Sequence, residues 1–106
     1  MSDKLGPDYT AVRHILTSAP IAARTAPYIG GDDFDWAGLL AEAERMSGGE
    51  RVLVRIACDL WEAKGVAGVW EIPRRLDRGN FERVIEALVI CRGDLPAGPE
   101  ALSDAA

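Results

Sequence analysis

The chain has 106 residues, of which 48% are apolar and 27% charged, so it has the size and composition of one globular domain. Its formal net charge of −5 disfavours a protein whose main task is to neutralise nucleic-acid phosphates. No run of about 18 apolar residues is present, which predicts no membrane span. The first residues lack the basic and apolar pattern of an export signal, so we expect a cytoplasmic location.

The first predicted helix covers residues 8–18, and Pro20 ends it. Apolar side chains recur along it at the spacing of one buried helical face (Val12, Ile15, Leu16 and Ala19). Residues 21–33 contain Pro27 and a Gly–Gly pair and are predicted to form a loop. Tyr28 lies in this loop, where it would dock on the core or meet a partner, and it is one candidate partner-binding residue.

The second predicted helix begins near Asp33 or Asp35 and ends near Met46. Its apolar stripe consists of Trp36, Leu39, Leu40 and Ala43. Three carboxylates stand at its start, where the positive end of the helix dipole favours them (Asp32, Asp33 and Asp35). We interpret them as caps rather than as a cation site, because a calcium loop needs longer alternating spacing.

The four residues Ser47-Gly48-Gly49-Glu50 resemble the signature loop of ATP-binding-cassette and SMC-type ATPases. Such a loop acts with a second loop of the form G-x-x-x-x-G-K-[ST], which this sequence does not contain. Ser47 and Glu50 also have the spacing of a capping box, in which each residue satisfies a backbone N–H of the other. We therefore interpret the string as a helix start after a flexible glycine bend, and we predict no cofactor.

The third predicted helix runs from Gly48 or Gly49 to about Lys64 and has the widest apolar face. Its apolar residues are Val52, Leu53, Val54, Ile56, Ala57, Cys58, Leu60 and Trp61. A face this wide indicates a central helix with neighbours on several sides. Arg55 and Asp59 are spaced for an ion pair along the helix surface.

The last helix is predicted to start after Asn80 as its N-cap and to end at Arg92, before Gly93. Four apolar residues are expected to face the core (Phe81, Val84, Ile85 and Leu88). Residues 66–76 precede it and could form a helix or a strand, with Pro73 placed to open a short helix. Trp70 lies there and would either anchor a partner or close the core, so it is the second candidate partner-binding residue.

These elements predict an all-α fold, a single compact bundle of four main helices with one short helical or extended segment. Residues 1–94 would form the helical domain. Residues 95–106 are rich in Pro, Ala and Gly without an apolar stripe, which predicts a flexible tail.

No catalytic, cofactor-binding or metal-ligating residue is predicted. His14, Cys58 and Cys91 lie on different predicted helices, and the sequence has no C-x-x-C pair. We interpret both cysteines as reduced, partly buried packing residues.

A helix-turn-helix-like DNA-binding regulator that uses residues 66–92 is the alternative interpretation. Its candidate nucleic-acid-binding residues are four arginines (Arg74, Arg75, Arg78 and Arg83). Glu82 and Glu86 on the polar face of the last helix disfavour it, because base edges are read mostly by basic and amide side chains.

One pattern extends over residues 47–93: S-x-G-E, an apolar helix, A-x-D-L-W, then N-F-E-R-V-I-E-A-L and R-G. It resembles short helical proteins of unknown function from Gram-positive bacteria and their phages. The resemblance implies an accessory, regulatory or assembly role, connected with phages or mobile elements, and assigns no activity. We therefore expect a non-catalytic protein that binds a protein partner or a second copy of itself, with no membrane or metal involved.

Overall fold

A computed structural model describes residues 6–93 of the chain, so the predicted tail at 95–106 lies outside the described residues. The helices are α1 (Pro7–Leu16), α2 (Ala22–Thr25), α3 (Trp36–Ala43), α4 (Gly48–Glu62), α5 (Glu71–Arg75) and α6 (Arg78–Arg92). Within residues 6–93 the only β pairing is one isolated bridge between Ile29 and Phe34. The predicted all-α compact fold is confirmed. Each helix in this part of the chain is too short or too polar to cross a bilayer.

Helix α4 lies at the centre of the fold and contacts α1, α3, α5 and α6. Its buried side chains are Val52, Leu53, Val54, Ile56, Ala57 and Cys58, and Leu60 and Trp61 pack partly buried against the core. The wide apolar face expected from the sequence is therefore the face that the neighbouring helices cover. Burying aliphatic side chains of this size contributes about 1.5–3 kcal/mol each, so α4 supplies much of the driving force for folding.

Helices α1 and α6 run antiparallel and form the most extensive helix pair. Polar contacts fix their register: His14 Nε2 lies 2.6 Å from Glu86 Oε1, and Arg83 Nε donates to the His14 carbonyl at 2.6 Å. At the other end of the pair, Cys91 Sγ donates to Asp8 Oδ1 at 3.2 Å. These contacts determine which side of α6 turns toward the core.

Four aromatic rings join α1, α4 and the start of α3 (Tyr9, Phe34, Trp36 and Trp61). The Tyr9 and Phe34 rings stack with their centroids 5.3 Å apart, and Trp61 meets Phe34 edge-on at 5.0 Å. Such pairs contribute about 0.5–1.5 kcal/mol each beyond the burial of their area. The cluster therefore holds the chain before α3 against the central helix.

The loop predicted for residues 21–33 is partly helical, which corrects the sequence analysis. It contains α2 and a 3₁₀ turn over Ala26–Tyr28. Thr25 is buried, and its Oγ1 donates to the Leu16 carbonyl at 2.7 Å, which ties this segment to the end of α1. Elements of one turn have too few residues to show a helical period, so the sequence pattern missed them.

Two helix starts also differ from expectation. Helix α6 begins at Arg78 with Asp77 as its N-cap, because Asp77 Oδ1 accepts from the Asn80 N–H at 2.8 Å. The prediction that Asn80 is the N-cap was wrong, because the carboxylate of Asp77, three residues earlier, caps the helix. Helix α5 begins at Glu71, two residues before Pro73, so the open question for residues 66–76 resolves to a short helix.

The rotation of α6 is the largest correction. Its buried residues are Val84, Ala87 and Ile90. Of the four side chains expected to face the core, only Val84 does; Phe81, Ile85 and Leu88 are exposed by 38–42%. Because α6 carries apolar residues around most of its circumference, the pattern specifies no unique buried face.

The two glycines in the ATPase-like string belong to the first turn of α4. The prediction that they form a flexible bend was wrong. The capping box is present: Glu50 N–H donates to Ser47 Oγ at 3.3 Å, and Ser47 N–H donates to Glu50 Oε1 at 3.2 Å. Gly49 allows a close approach, because a Cβ built on it would lie 2.6 Å from the Arg75 carbonyl oxygen. The end of α5 therefore rests directly on the backbone of α4.

We predict that Gly49→Ala destabilises the protein although alanine favours helices. The added methyl would push against a backbone carbonyl, at a cost of about 1–3 kcal/mol. Gly48→Ala is the matched control: its Cβ would meet the flexible Arg75 side chain, with Nη1 at 3.2 Å and Cδ at 3.7 Å, and no backbone atom of Arg75. The free energy of unfolding of the control should equal that of the wild type or exceed it by up to about 1 kcal/mol, because alanine favours the helix. Urea unfolding of both variants measures the difference, and equal midpoints would contradict the α4–α5 contact.

Candidate interaction surface

Three apolar side chains between α4 and α5 are exposed together, and we call them the Trp70 patch (Val66, Val69 and Trp70). Val69 is 80% exposed and Trp70 is 56% exposed. Trp70 therefore does not close the core, which was one of its two interpretations. Large apolar side chains grouped at a protein surface are typical of contact sites for other macromolecules.

Carboxylates hold the backbone of the patch in place. The Asp59 side chain accepts from the Val66 N–H at 2.8 Å with one oxygen and from the Ala67 N–H at 2.9 Å with the other. Glu71 Oε2 accepts from the Gly68 N–H at 3.3 Å. Hydrogen bonds to ionised acceptors are about twice as strong as neutral ones, so this loop is well anchored for a surface segment.

The use of Asp59 as a loop anchor replaces the ion pair that was predicted along α4. Arg55 Nη2 instead lies 3.2 Å from Glu44 Oε2, just beyond the end of α3. Both backbone N–H groups that Asp59 satisfies come from residues beyond the C-terminus of the helix. The spacing of Arg55 and Asp59 alone does not reveal this, because the loop conformation decides which donors reach the carboxylate.

The Trp70 ring is restrained by its neighbours. The Arg75 guanidinium carbon lies 5.8 Å from the ring centroid, within the range of a cation–π contact. A Cβ on Gly68 would lie 2.8 Å from Trp70 Nε1, so the indole leans on the Gly68 backbone. Arg74 Nη1 donates to the Trp70 carbonyl at 3.1 Å. An aromatic side chain held in this way loses little conformational entropy when a partner binds.

Tyr28, the other candidate partner-binding residue, is half-buried and packs against the core. Its ring covers Gly38 of α3, where an added Cβ would lie 2.5 Å from Tyr28 Cδ1. The Tyr28 carbonyl also accepts from the Asp35 N–H at 2.9 Å. The contacts of Tyr28 are thus largely internal. Tyr28 lies in the segment before α3, whereas the Trp70 patch lies between α4 and α5.

Each of the four candidate nucleic-acid-binding arginines makes a contact within the chain. Arg83 contacts the His14 carbonyl of α1, and Arg74 the Trp70 carbonyl. Arg75 lies 3.3 Å from Glu71 and Arg78 lies 3.3 Å from Glu82, both along the surface of their own helices.

A second apolar surface, which the sequence analysis missed, lies on α6 and is called the α6 face (Phe81, Ile85 and Leu88). A shallow cleft of about 340 Å³ opens beside Phe81 and Ile85, between Glu82 and Glu86. The three residues recur at the four- and three-residue spacing of one helical face, which is the signal that the sequence contains. That signal was assigned to the core because a buried face has the same spacing.

The three side chains that the sequence analysis weighed for chemistry each have a defined environment. His14 is engaged by Glu86, Cys58 is buried, and Cys91 contacts Asp8. Burial, followed by the charges of Glu62 and Asp59, raises the pKa of the Cys58 thiol. In the described part of the chain, no group of three or more His, Cys, Asp or Glu side chains could hold a metal ion.

Of the three acidic residues predicted as caps before α3, Asp35 is the N-cap, whereas Asp33 accepts from the backbone in the preceding turn. Asp35 Oδ1 accepts from the Gly38 N–H at 3.0 Å, and Asp33 Oδ1 accepts from the Phe34 N–H at 2.8 Å. An open cleft of about 570 Å³ between these residues and α1 is lined by carboxylates and aromatic rings (Asp8, Tyr9, Asp32, Asp33 and Trp61). Its carboxylates are not arranged around a common point.

Comparison of the chain with models of known protein families, with curated proteins and with solved structures gave no match. The geometry of the surface is therefore the basis for a functional proposal.

We predict that Cys91 is a poor nucleophile. Burial, followed by the hydrogen bond to Asp8 and the negative charge of Asp8, raises the pKa of its thiol to about 11. Its alkylation by iodoacetamide at pH 8 should be roughly tenfold slower than that of a free cysteine, because the low thiolate fraction outweighs the higher nucleophilicity of that thiolate. The rate should rise about tenfold per pH unit without levelling off near pH 8.5.

Asp8→Asn is the control for this prediction. It removes the acceptor charge but leaves the burial, so the rate should level off at a lower pH. A wild-type rate that levels off near pH 8.5 would contradict the Cys91–Asp8 contact.

Proposed function

We propose that this protein is a non-catalytic interaction module that binds a protein partner, or a second copy of itself, through the Trp70 patch. The observation that carries the proposal is the exposure of Val69 and Trp70 on a backbone that Asp59 and Glu71 hold in place. Tryptophan is among the residues most enriched in the energetic centres of protein interfaces.

The charges around the patch also fit a protein contact. Lys64, Glu71, Arg74 and Arg75 flank the patch along the chain and carry both signs of charge. A central apolar anchor with a mixed polar rim is the usual anatomy of a protein–protein interface. The resemblance to short helical proteins of Gram-positive bacteria and phages adds the proposal of an accessory, regulatory or assembly role.

The alternative, a helix-turn-helix-like regulator, has less support. Helices α5 and α6 are joined by only two residues, which fits its outline. However, the exposed side of α6 presents Phe81, Ile85 and Leu88, which offer no hydrogen bonds to base edges. Arg83, one of the four arginines of this interpretation, donates to the His14 carbonyl of α1.

We predict that Trp70→Ala weakens partner binding about 30-fold or more without unfolding the protein. Truncating an anchor residue of an interface costs about 2 kcal/mol or more, which weakens binding by about 30-fold. The melting temperature should change little, because the indole is half exposed and contributes little to the core. The tagged chain would be expressed in its native host, its partners quantified by mass spectrometry, and its mass in solution determined by light scattering.

Phe81→Ala is the matched control, since it removes a similarly exposed aromatic ring from a different surface. The proposal requires a partner, or a dimer, that Trp70→Ala loses and Phe81→Ala retains. A strictly monomeric chain whose bound proteins do not change with Trp70→Ala would contradict it. Salt-sensitive binding of duplex DNA that is lost with Arg74→Ala and Arg75→Ala would favour the alternative.

A further inference from the structure

The α6 face combines apolar side chains with carboxylates. Phe81, Ile85 and Leu88 are exposed by 38–42% along one side of α6. The cleft of about 340 Å³ beside them is lined by two apolar residues and two glutamates (Phe81, Ile85, Glu82 and Glu86). In the described part of the chain, no basic residue lines this cleft. The proposed function acts through the Trp70 patch between α4 and α5 and does not use this surface.

Both cleft carboxylates can accept further hydrogen bonds. Within residues 6–93, Glu82 contacts Arg78 through Oε2 at 3.3 Å, and Glu86 contacts His14 through Oε1 at 2.6 Å. Because a carboxylate accepts through both of its oxygens, Glu82 Oε1 and Glu86 Oε2 can receive donors from another molecule. The Arg78 side chain is 92% exposed, and water screens such a surface ion pair, so Arg78 competes only weakly with a new partner of Glu82.

We propose that the α6 face binds a basic amphipathic helix of another protein, with an arginine of that helix in the cleft. The methylene groups of an arginine would pack on Ile85 while its charged end reaches the glutamates. Its planar guanidinium would stack on the Phe81 ring and donate to Glu82 at the same time. An arginine therefore matches both the apolar residues and the carboxylates that line the cleft.

The length of the α6 face fits a helical partner. Phe81 and Leu88 are seven residues apart, which is about 10 Å along α6, or about two helical turns. A partner helix presents its anchors at the same three- and four-residue spacing, so apolar residues one turn apart would meet Ile85 and Leu88. Basic residues beside that apolar stripe would then lie next to Glu82 and Glu86.

Charge disfavours the other occupants of the α6 face. Duplex nucleic acid and anionic lipid surfaces are negatively charged, and the two glutamates would repel them. Two copies of the chain paired through this face would bring the glutamates of both copies into one apolar contact, and like charges across an interface oppose association. A basic partner is the occupant whose charge complements the cleft.

The test is a titration of the full chain, labelled at isoleucine and leucine methyl groups, with a model helical peptide. The peptide consists of alanine, of leucines at three- and four-residue spacing, and of arginines beside the leucines. A control peptide has glutamate in place of each arginine. The arginine peptide should shift the Ile85 and Leu88 methyl signals to saturation, and the glutamate peptide should leave them unchanged. Added salt should weaken the binding, because it screens the charge pairs.

Glu82→Gln should weaken binding of the arginine peptide about tenfold, because a hydrogen bond to a charged acceptor is lost. Glu44→Gln is the matched control. The Glu44 side chain is 64% exposed against 59% for Glu82, and it also contacts an arginine, but it lies beside the end of α3. Glu44→Gln and Trp70→Ala should both leave the affinity unchanged.

Each outcome decides the proposal. Saturable shifts at Ile85 and Leu88 that Glu82→Gln weakens and Glu44→Gln does not weaken support it. Equal affinity in Glu82→Gln, or the absence of shifts on α6, overturns it. Ile85 and Leu88 signals that change with protein concentration alone, together with a dimeric mass, also overturn it and assign the face to a second copy. The readout does not involve Trp70, so this proposal and the proposed function can fail separately.

Discussion

The fold depends on one constraint, the burial of α4 on nearly all sides. Six of its side chains are buried, and α1, α3, α5 and α6 all pack against it. Its first turn is capped by Ser47 and Glu50, and Gly49 lets the carbonyl of Arg75 rest on its backbone. The string that resembles part of an ATPase thus caps the start of α4 and allows the end of α5 to contact it.

The same helix also positions the exposed patch. Asp59 is on the outer side of α4, near its C-terminus, and its two oxygens accept from the backbone of Val66 and Ala67. A single carboxylate thus links the central helix of the fold to the segment that carries Trp70. For the interaction proposed at Trp70, an indole held on such a base would reduce the ordering entropy lost on binding.

Local signals made much of this fold predictable. The capping box and the wide face of α4 depend on residues close together in sequence, and both are confirmed. The rotation of α6 was not predictable, because it is fixed by contacts of Glu86 and Arg83 with His14, about 70 residues away. The exposed apolar residues were likewise predictable only in part. Trp70 was identified from its irregular segment, whereas the α6 face was hidden because apolar residues cover most of the circumference of that helix.

The most direct test of the account is the mobility of the Trp70 indole, measured by ¹⁵N relaxation of its side-chain N–H. A ring held by the Asp59-anchored loop and by Arg75 should have an order parameter near that of rigid backbone, about 0.85, which should fall in Asp59→Ala. Asp59→Asn keeps one acceptor and should fall less. A wild-type value below about 0.6, or one that Asp59→Ala leaves unchanged, would contradict the claim that the fold presents Trp70 as a fixed anchor.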